Sequence, residues 1–140
     1  MAKDTQLSNA AVNAEADALA RLLDNGYRRI YSGTKPATAD TALSGNTLLA
    51  ELRFANPSAP AASNGVLTFT LTADTSADNN GTATFYRDLK SDGTTVVLDG
   101  TVGATGSTSN LELNTTTIVT GQQVAVTSAT HTVNKSTSGY

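Results

Sequence analysis

The chain has no cysteine and one histidine in 140 residues, and only 5% of its residues are aromatic and 15% charged. The first absence excludes disulfides and thiolate chemistry. The second leaves any Ser-His-Asp mechanism to run through His131 alone, inside the Thr-rich stretch TSATHTV, where a surface or hydrogen-bonded strand residue is the better reading. Zinc needs three or four ligands drawn from His, Cys and carboxylates, so a zinc site is excluded as well. No run of apolar residues approaches the roughly 20 needed to span a bilayer, and MAKDTQLSNAA lacks the apolar centre of a secretory signal. A cytoplasmic origin is expected. The formal charge is −3, the sequence pI is near 4.9, and no basic cluster exceeds the pair Arg28–Arg29. Direct nucleic-acid binding is not expected, because Lys and Arg must displace the counterions condensed along phosphates.

What is present is 39% hydrophobic residues on a background of Thr, Ser, Asn, Ala and Gly. The Val, Leu and Ile residues recur at strand-like intervals, the mark of a folded chain rather than a disordered one. The length suits one domain with a single core. The exception to the strand pattern comes first. Ser8 to about Asn25, SNAAVNAEADALARLLDN, is rich in Ala and Leu and free of Pro and Gly, with Ser8 or Asn9 placed to cap the first amides. At about 100° per residue, Val12, Ala16, Leu19 and Leu23 form a stripe flanked by Leu22 and Ala20, while Asn13, Asp17, Arg21 and Asp24 gather opposite. Asn25-Gly26 should close the helix, Gly taking the left-handed conformation, and Tyr27–Tyr31 should begin the first strand. An isolated helix of this length is marginal in water, so the stripe must be covered by its own domain or by a partner. Val12, Leu19, Leu22 and Leu23 are the candidate interface, to another subunit or to a larger assembly.

The rest reads as strands and turns. TLLAELRF alternates Leu48, Ala50, Leu52 and Phe54 against Glu51 and Arg53, a strand with a short helix as the competing reading. VLTFTLT turns Leu67, Phe69 and Leu71 inward. TATFYRDL turns Ala83, Phe85 and Leu89 inward, against Thr82, Thr84 and Tyr86. Asp92-Gly93 and Asp99-Gly100 both carry a hairpin-turn signature. NLELN and VAVTSATHTVN supply later strands, with Val124 and Val126 on one face. Seven to nine short strands without βα alternation predict a mainly β fold: an antiparallel β-sandwich, jelly-roll-like or another Greek key, preceded by one amphipathic helix. The expected organisation is an N-terminal arm and helix over 1–26, a sandwich over 27–134 and a flexible tail over 135–140.

No motif singles out catalysis. The loop ADTSADNNG offers Asp74, Asp78, Asn79 and Asn80, the ligand type of calcium, but lacks the EF-hand spacing; a turn is the better reading. The glycines of DGTVGATGS follow no phosphate-loop pattern, and no carboxylate pair is marked for glycoside hydrolysis. We expect no enzyme, no metal and no cofactor.

The order of segments carries a resemblance. SNAAVNAEADALARLLDNGYRRIYSG, then KPATADTALSGNTLLAELRFANPSA, the GTATFYRDLKSDGTTVV hairpin and the closing TGQQVAVTSATHTV together resemble small virion structural proteins of tailed bacteriophages, over nearly the whole chain. The resemblance implies a non-enzymatic virion protein of the head decoration, or cement, type. The implied partner is a major capsid protein, the implied location the virion assembled in the host cytoplasm, and the implied assembly a homo-oligomer, with trimers favoured at threefold positions. Tail, baseplate or fibre proteins share every quoted feature. A carbohydrate-binding attachment module is a third reading, which would call for an exposed platform built from Tyr27, Tyr31 or Tyr86.

Overall fold

The computed structural model describes residues 4–136. One helix, α1 (Asn9–Leu22), precedes ten strands among the described residues: β1 (Tyr27–Tyr31), β2 (Leu48–Phe54), β3 (Val66–Thr68), β4 (Leu71–Thr72), β5 (Gly81–Thr82), β6 (Phe85–Leu89), β7 (Val96–Ala104), β8 (Leu111–Leu113), β9 (Thr117–Ile118) and β10 (Thr130–Thr132). The fold is mainly β with a single N-terminal helix. A six-stranded sheet, ordered β4-β2-β1-β6-β7-β8, forms the body, and two short ribbons, β3/β10 and β5/β9, complete it.

Helix α1 begins where the sequence places it: the Ser8 hydroxyl accepts the Ala11 amide at 3.1 Å. Its end differs in one detail. Asn25, at φ +57°, takes the left-handed position, which Asn tolerates better than most side chains. Gly26 is required for a different reason: a Cβ there would lie 2.2 Å from the Leu89 carbonyl oxygen and 2.9 Å from that of Leu23. The chain leaves the helix tightly against β6, and only a residue without a side chain fits.

All the pairings in the main sheet are antiparallel except β7 with β8, which run parallel through Val102↔Leu111 and Ala104↔Leu113. Parallel neighbours usually need a long crossover. Here side chains hold a short one in place. Glu112 accepts the Gly106 and Thr108 amides at 3.0 and 2.8 Å, and Asn110 accepts the Thr101 amide at 3.0 Å. Asp92-Gly93 forms the β6–β7 turn, with Gly93 at φ +71°. Asp99-Gly100 makes no turn. It lies inside β7, where Gly100 leaves room for the Tyr86 ring: a Cβ would sit 2.3 Å from its Cζ and hydroxyl oxygen.

VLTFTLT likewise divides between sheets, β3 pairing with β10 and β4 with β2. The apolar residues form two clusters that meet at Leu71 and Val126. One gathers Ile30, Ala50, Leu52, Tyr86, Leu111 and Ile118; the other joins α1 to Phe54, Leu67 and Phe69. Every residue of β6 is buried, against the expected alternation. The sheet is covered on both faces, because residues 32–47 fold back over the outer one: Arg87 donates to the Thr41 carbonyl at 2.9 Å, and Tyr31 stacks on Phe85 at 5.3 Å. Of the tail expected over 135–140, the Lys135 carbonyl accepts the Leu7 amide at 2.8 Å and Ser136 bridges Gln6; 137–140 lie outside the described residues.

Candidate functional site

The four stripe residues meet different fates. Val12 and Leu23 have no exposed surface, and Leu19 is half-buried against the helix-side cluster. Only Leu22, 44% exposed, faces outward. The chain's own core therefore covers most of the stripe, and of the four candidates Leu22 is the one left at the surface. Val119, at 52%, is the other large apolar side chain exposed among the described residues.

The polar side of the helix is also occupied. Asn13 accepts the Gly65 amide, Asp17 the Ala62 amide and Asp24 the Ser58 amide, at 2.8, 2.8 and 2.7 Å, while Arg21 donates to the Ala59 carbonyl at 3.0 Å. Three helical side chains, and Asp24 just past the helix end, thus serve as hydrogen-bond partners for loop 58–65, a segment with few ladder bonds of its own. Nothing in the helical periodicity distinguishes this from a solvated face.

The charged centre of the molecule is an ion pair inside the sheet. Register places Arg28 of β1 opposite Leu52 of β2 and Asp88 of β6. Strand alternation then puts Arg28 and Asp88 on the inner face with Ile30 and Tyr86. Arg28 Nε and Nη2 donate to the two Asp88 oxygens at 2.8 and 2.7 Å. Asp88 is fully buried and Arg28 is 3% exposed. The guanidinium lies 4.0 Å from the Tyr86 ring centroid, 5.4 Å from that of Phe54 and 5.9 Å from that of Phe69. Burial pushes the Asp88 carboxyl upward, only partly offset by Arg28. Burial also pulls on Arg28, but Asp88 outweighs it and holds the guanidinium above its ordinary value. The two directions are opposite sides of one balance, in which the fully sequestered carboxylate bears the larger desolvation cost.

Two further pairs sit on the outer face. Arg87 and Asp99 are bidentate at 2.7 and 2.8 Å with side chains 5% and 3% exposed, and Arg29 meets Glu51 at 2.6 Å nearer the surface. These three arginines and three acids were not singled out by sequence reasoning. A signal existed for one of them: in YRRIY, Arg28 shares the parity of the apolar Ile30; in FYRDL, Asp88 shares that of Tyr86, which the alternation placed outward and the structure buries.

Of the three tyrosines that could build a platform, Tyr31 and Tyr86 are buried. Tyr27 alone reaches the surface, with the guanidinium of Arg29 5.5 Å and that of Arg53 4.6 Å from its ring centroid. The ADTSADNNG loop spends its oxygens on the backbone: Asp74 accepts the Glu51 and Ser76 amides, and Asn80 accepts that of Thr120. His131 pairs across β3/β10 with Leu67. Its imidazole is held below its ordinary value by burial, with Asp88 acting upward and Arg28 downward. No protein-family model, curated protein or solved structure matches this chain.

Proposed function

We propose that this chain is a non-enzymatic structural protein of a tailed bacteriophage particle, a capsid decoration protein that binds the assembled head shell. It stabilises the shell by binding the assembled state better than the alternatives. The observation that carries this reading is the order of segments, from LLDNGYRRIYSG through TLLAELRF to GTATFYRDL, over nearly the whole chain. The placement of charge supports it. Arg28, Arg87, Asp88 and Asp99 are spent on one another as internal ties, which suits a rigid contact module. Many weak contacts from the Thr-rich surface, multiplied over symmetry-related shell sites, supply avidity. Leu22 and Val119 are the apolar side chains available to such contacts.

The test is to add the purified protein to expanded heads lacking it, from the phage that encodes it, and to follow cosedimentation, shell melting and cryo-electron microscopy. Saturable binding at fixed positions and a higher shell melting temperature are expected. Density for this chain in the tail or baseplate, or heads that take up none, refutes the decoration role.

A further inference from the structure

We propose that His131 is a pH-operated latch: neutral, it lets β10 seat over the buried Arg28–Asp88 pair and hold the two chain ends together; protonated, it releases β10 and the ends with it.

The geometry is that of a light closure over a charged interior. Strand β10 has three residues and one ladder partner, β3. Beyond the ladder it is fastened by the Phe69 amide to the Ala129 carbonyl at 2.8 Å and by the Val133 amide to the Gly65 carbonyl at 2.9 Å. His131 faces the same side as its partner Leu67, which is fully buried with Phe54 and Phe69. Those two rings flank the Arg28 guanidinium. The imidazole therefore borders the apolar surround of the ion pair, on a strand that lies outside the six-stranded sheet.

Burial decides the sign, against a weaker net pull from the groups facing it. Arg28 from β1 repels a protonated imidazole. Asp88 from β6 attracts it more than Arg28 repels it, although the carboxylate is already bidentate to Arg28. Tyr86 from β6 is neutral, its hydroxyl pushed up by burial. Asp99 bears on Asp88 but is itself paired with Arg87. Strand β3 brings no titratable group, and Asp17 and Arg21 of α1 are bonded to loop 58–65. Burial outweighs that pull and sets the preference for the neutral form. A histidine whose folded value lies below its unfolded one contributes stability above about pH 6.5, and this is lost as pH falls toward the folded value.

Opening β10 also unties the chain ends, because residues 133–136 carry the Lys135 carbonyl that accepts the Leu7 amide and the Ser136 bridge to Gln6. The motion is local unfolding of a small unit, leaving the sheet intact.

Native-state hydrogen exchange on the intact protein at pH 7.5 and 5.5, expressed as protection factors, tests the latch. The Leu7, Phe69 and Val133 amides should lose protection on acidification, by up to about tenfold since pH 5.5 lies about one unit below the ordinary imidazole value, while those of β1 and β6 hold theirs. In His131→Gln the three should show no pH-dependent loss. In the unsubstituted protein, the loss of protection should begin near pH 6.5 and level off at the NMR midpoint of the imidazole, which should lie below the ordinary value, a readout that holds even where the variant fails to fold. Equal acid sensitivity in His131→Gln, or an imidazole midpoint at or above the ordinary value, overturns the proposal and assigns the opening to Asp88 or the global transition.

Discussion

Replacing Asp88 with Asn tests the energetics of the interior. The amide keeps the size of the carboxylate but leaves the Arg28 guanidinium, 3% exposed, without its counter-charge. One of the two short bonds is lost outright, since Nε and Nη2 address different Asp88 oxygens and the amide keeps one acceptor and turns an NH2 donor toward the other Arg28 donor. The bond that stays loses its anionic partner. Breaking a buried pair on one side costs about 3–5 kcal/mol. That is a large part of the roughly 5–15 kcal/mol available to a domain. At roughly 3 °C per kcal/mol for a chain of this length, the melting temperature should fall by about 10–15 °C. The Tyr86, Phe54 and Phe69 rings soften the loss, because an Arg over an aromatic face retains about 0.5–2 kcal/mol of attraction. The decisive comparison is the double variant Arg28→Met, Asp88→Leu. Removing both charges removes both desolvation penalties, so it should be more stable than Asp88→Asn alone, and the cycle closed with the single variants Arg28→Met and Asp88→Leu should give a coupling energy of about 0.5–3 kcal/mol. Urea unfolding at pH 7, extrapolated linearly to water, measures each arm. A cost below about 1 kcal/mol for Asp88→Asn, or strict additivity in the cycle, would show that water reaches Arg28 and that the pair is not the interior tie described.

Four other outcomes follow from single contacts. Leu23→Ala should cost about 2–5 kcal/mol and Leu22→Ala less than about 0.5 by denaturant titration, since only the first removes fully buried volume. Gly26→Ala should destabilise more than Gly100→Ala, because its Cβ meets the Leu89 and Leu23 carbonyls, whereas at Gly100 it meets a side chain; adding Tyr86→Leu should rescue the second and not the first. Asp17→Ala should cost about 1 kcal/mol and expose loop 58–65 to limited proteolysis before the sheet unfolds, as the Ala62 amide loses its acceptor. The Asp92 carboxylate, held well below its ordinary range by the Thr95 hydroxyl and the Thr95 and Thr94 amides, supports its turn above about pH 4 and releases it as pH falls through the depressed folded value; the Thr94 and Thr95 amide shifts should report a midpoint below that of a free aspartate.

Local chemistry made some elements legible. The Ser8 cap, the Ala- and Leu-rich run behind it and the fourfold spacing of Val12, Ala16 and Ala20 specify α1, because capping, propensity and helical period agree over four turns. The alternation in YRRIY and TLLAELRF specifies β1 and β2 in the same way. Asp92-Gly93 and Asp99-Gly100 show where that legibility stops. The dipeptides are alike, yet one is a turn and the other sits in mid-strand, because what distinguishes them is the Tyr86 ring from a neighbouring strand. The parity of Arg28 was visible in its strand, but its meeting with Asp88 was not, with 60 residues between them.

The sequence by itself determined that there would be one helix and then strands, where the helix begins, and that half its surface would be covered. Each of those follows from residues within a few positions of one another. The tertiary structure alone decided what covers it: Val12, Ala16, Ala20 and Leu23 close on the chain's own core and leave Leu22 outside. It also decided that the polar residues of α1 hold loop 58–65, that β7 and β8 run parallel, and that two arginines are buried against two aspartates. Burial and pairing are properties of the space between distant segments, and a period of 2 or 3.6 residues carries a direction but not the identity of what stands opposite.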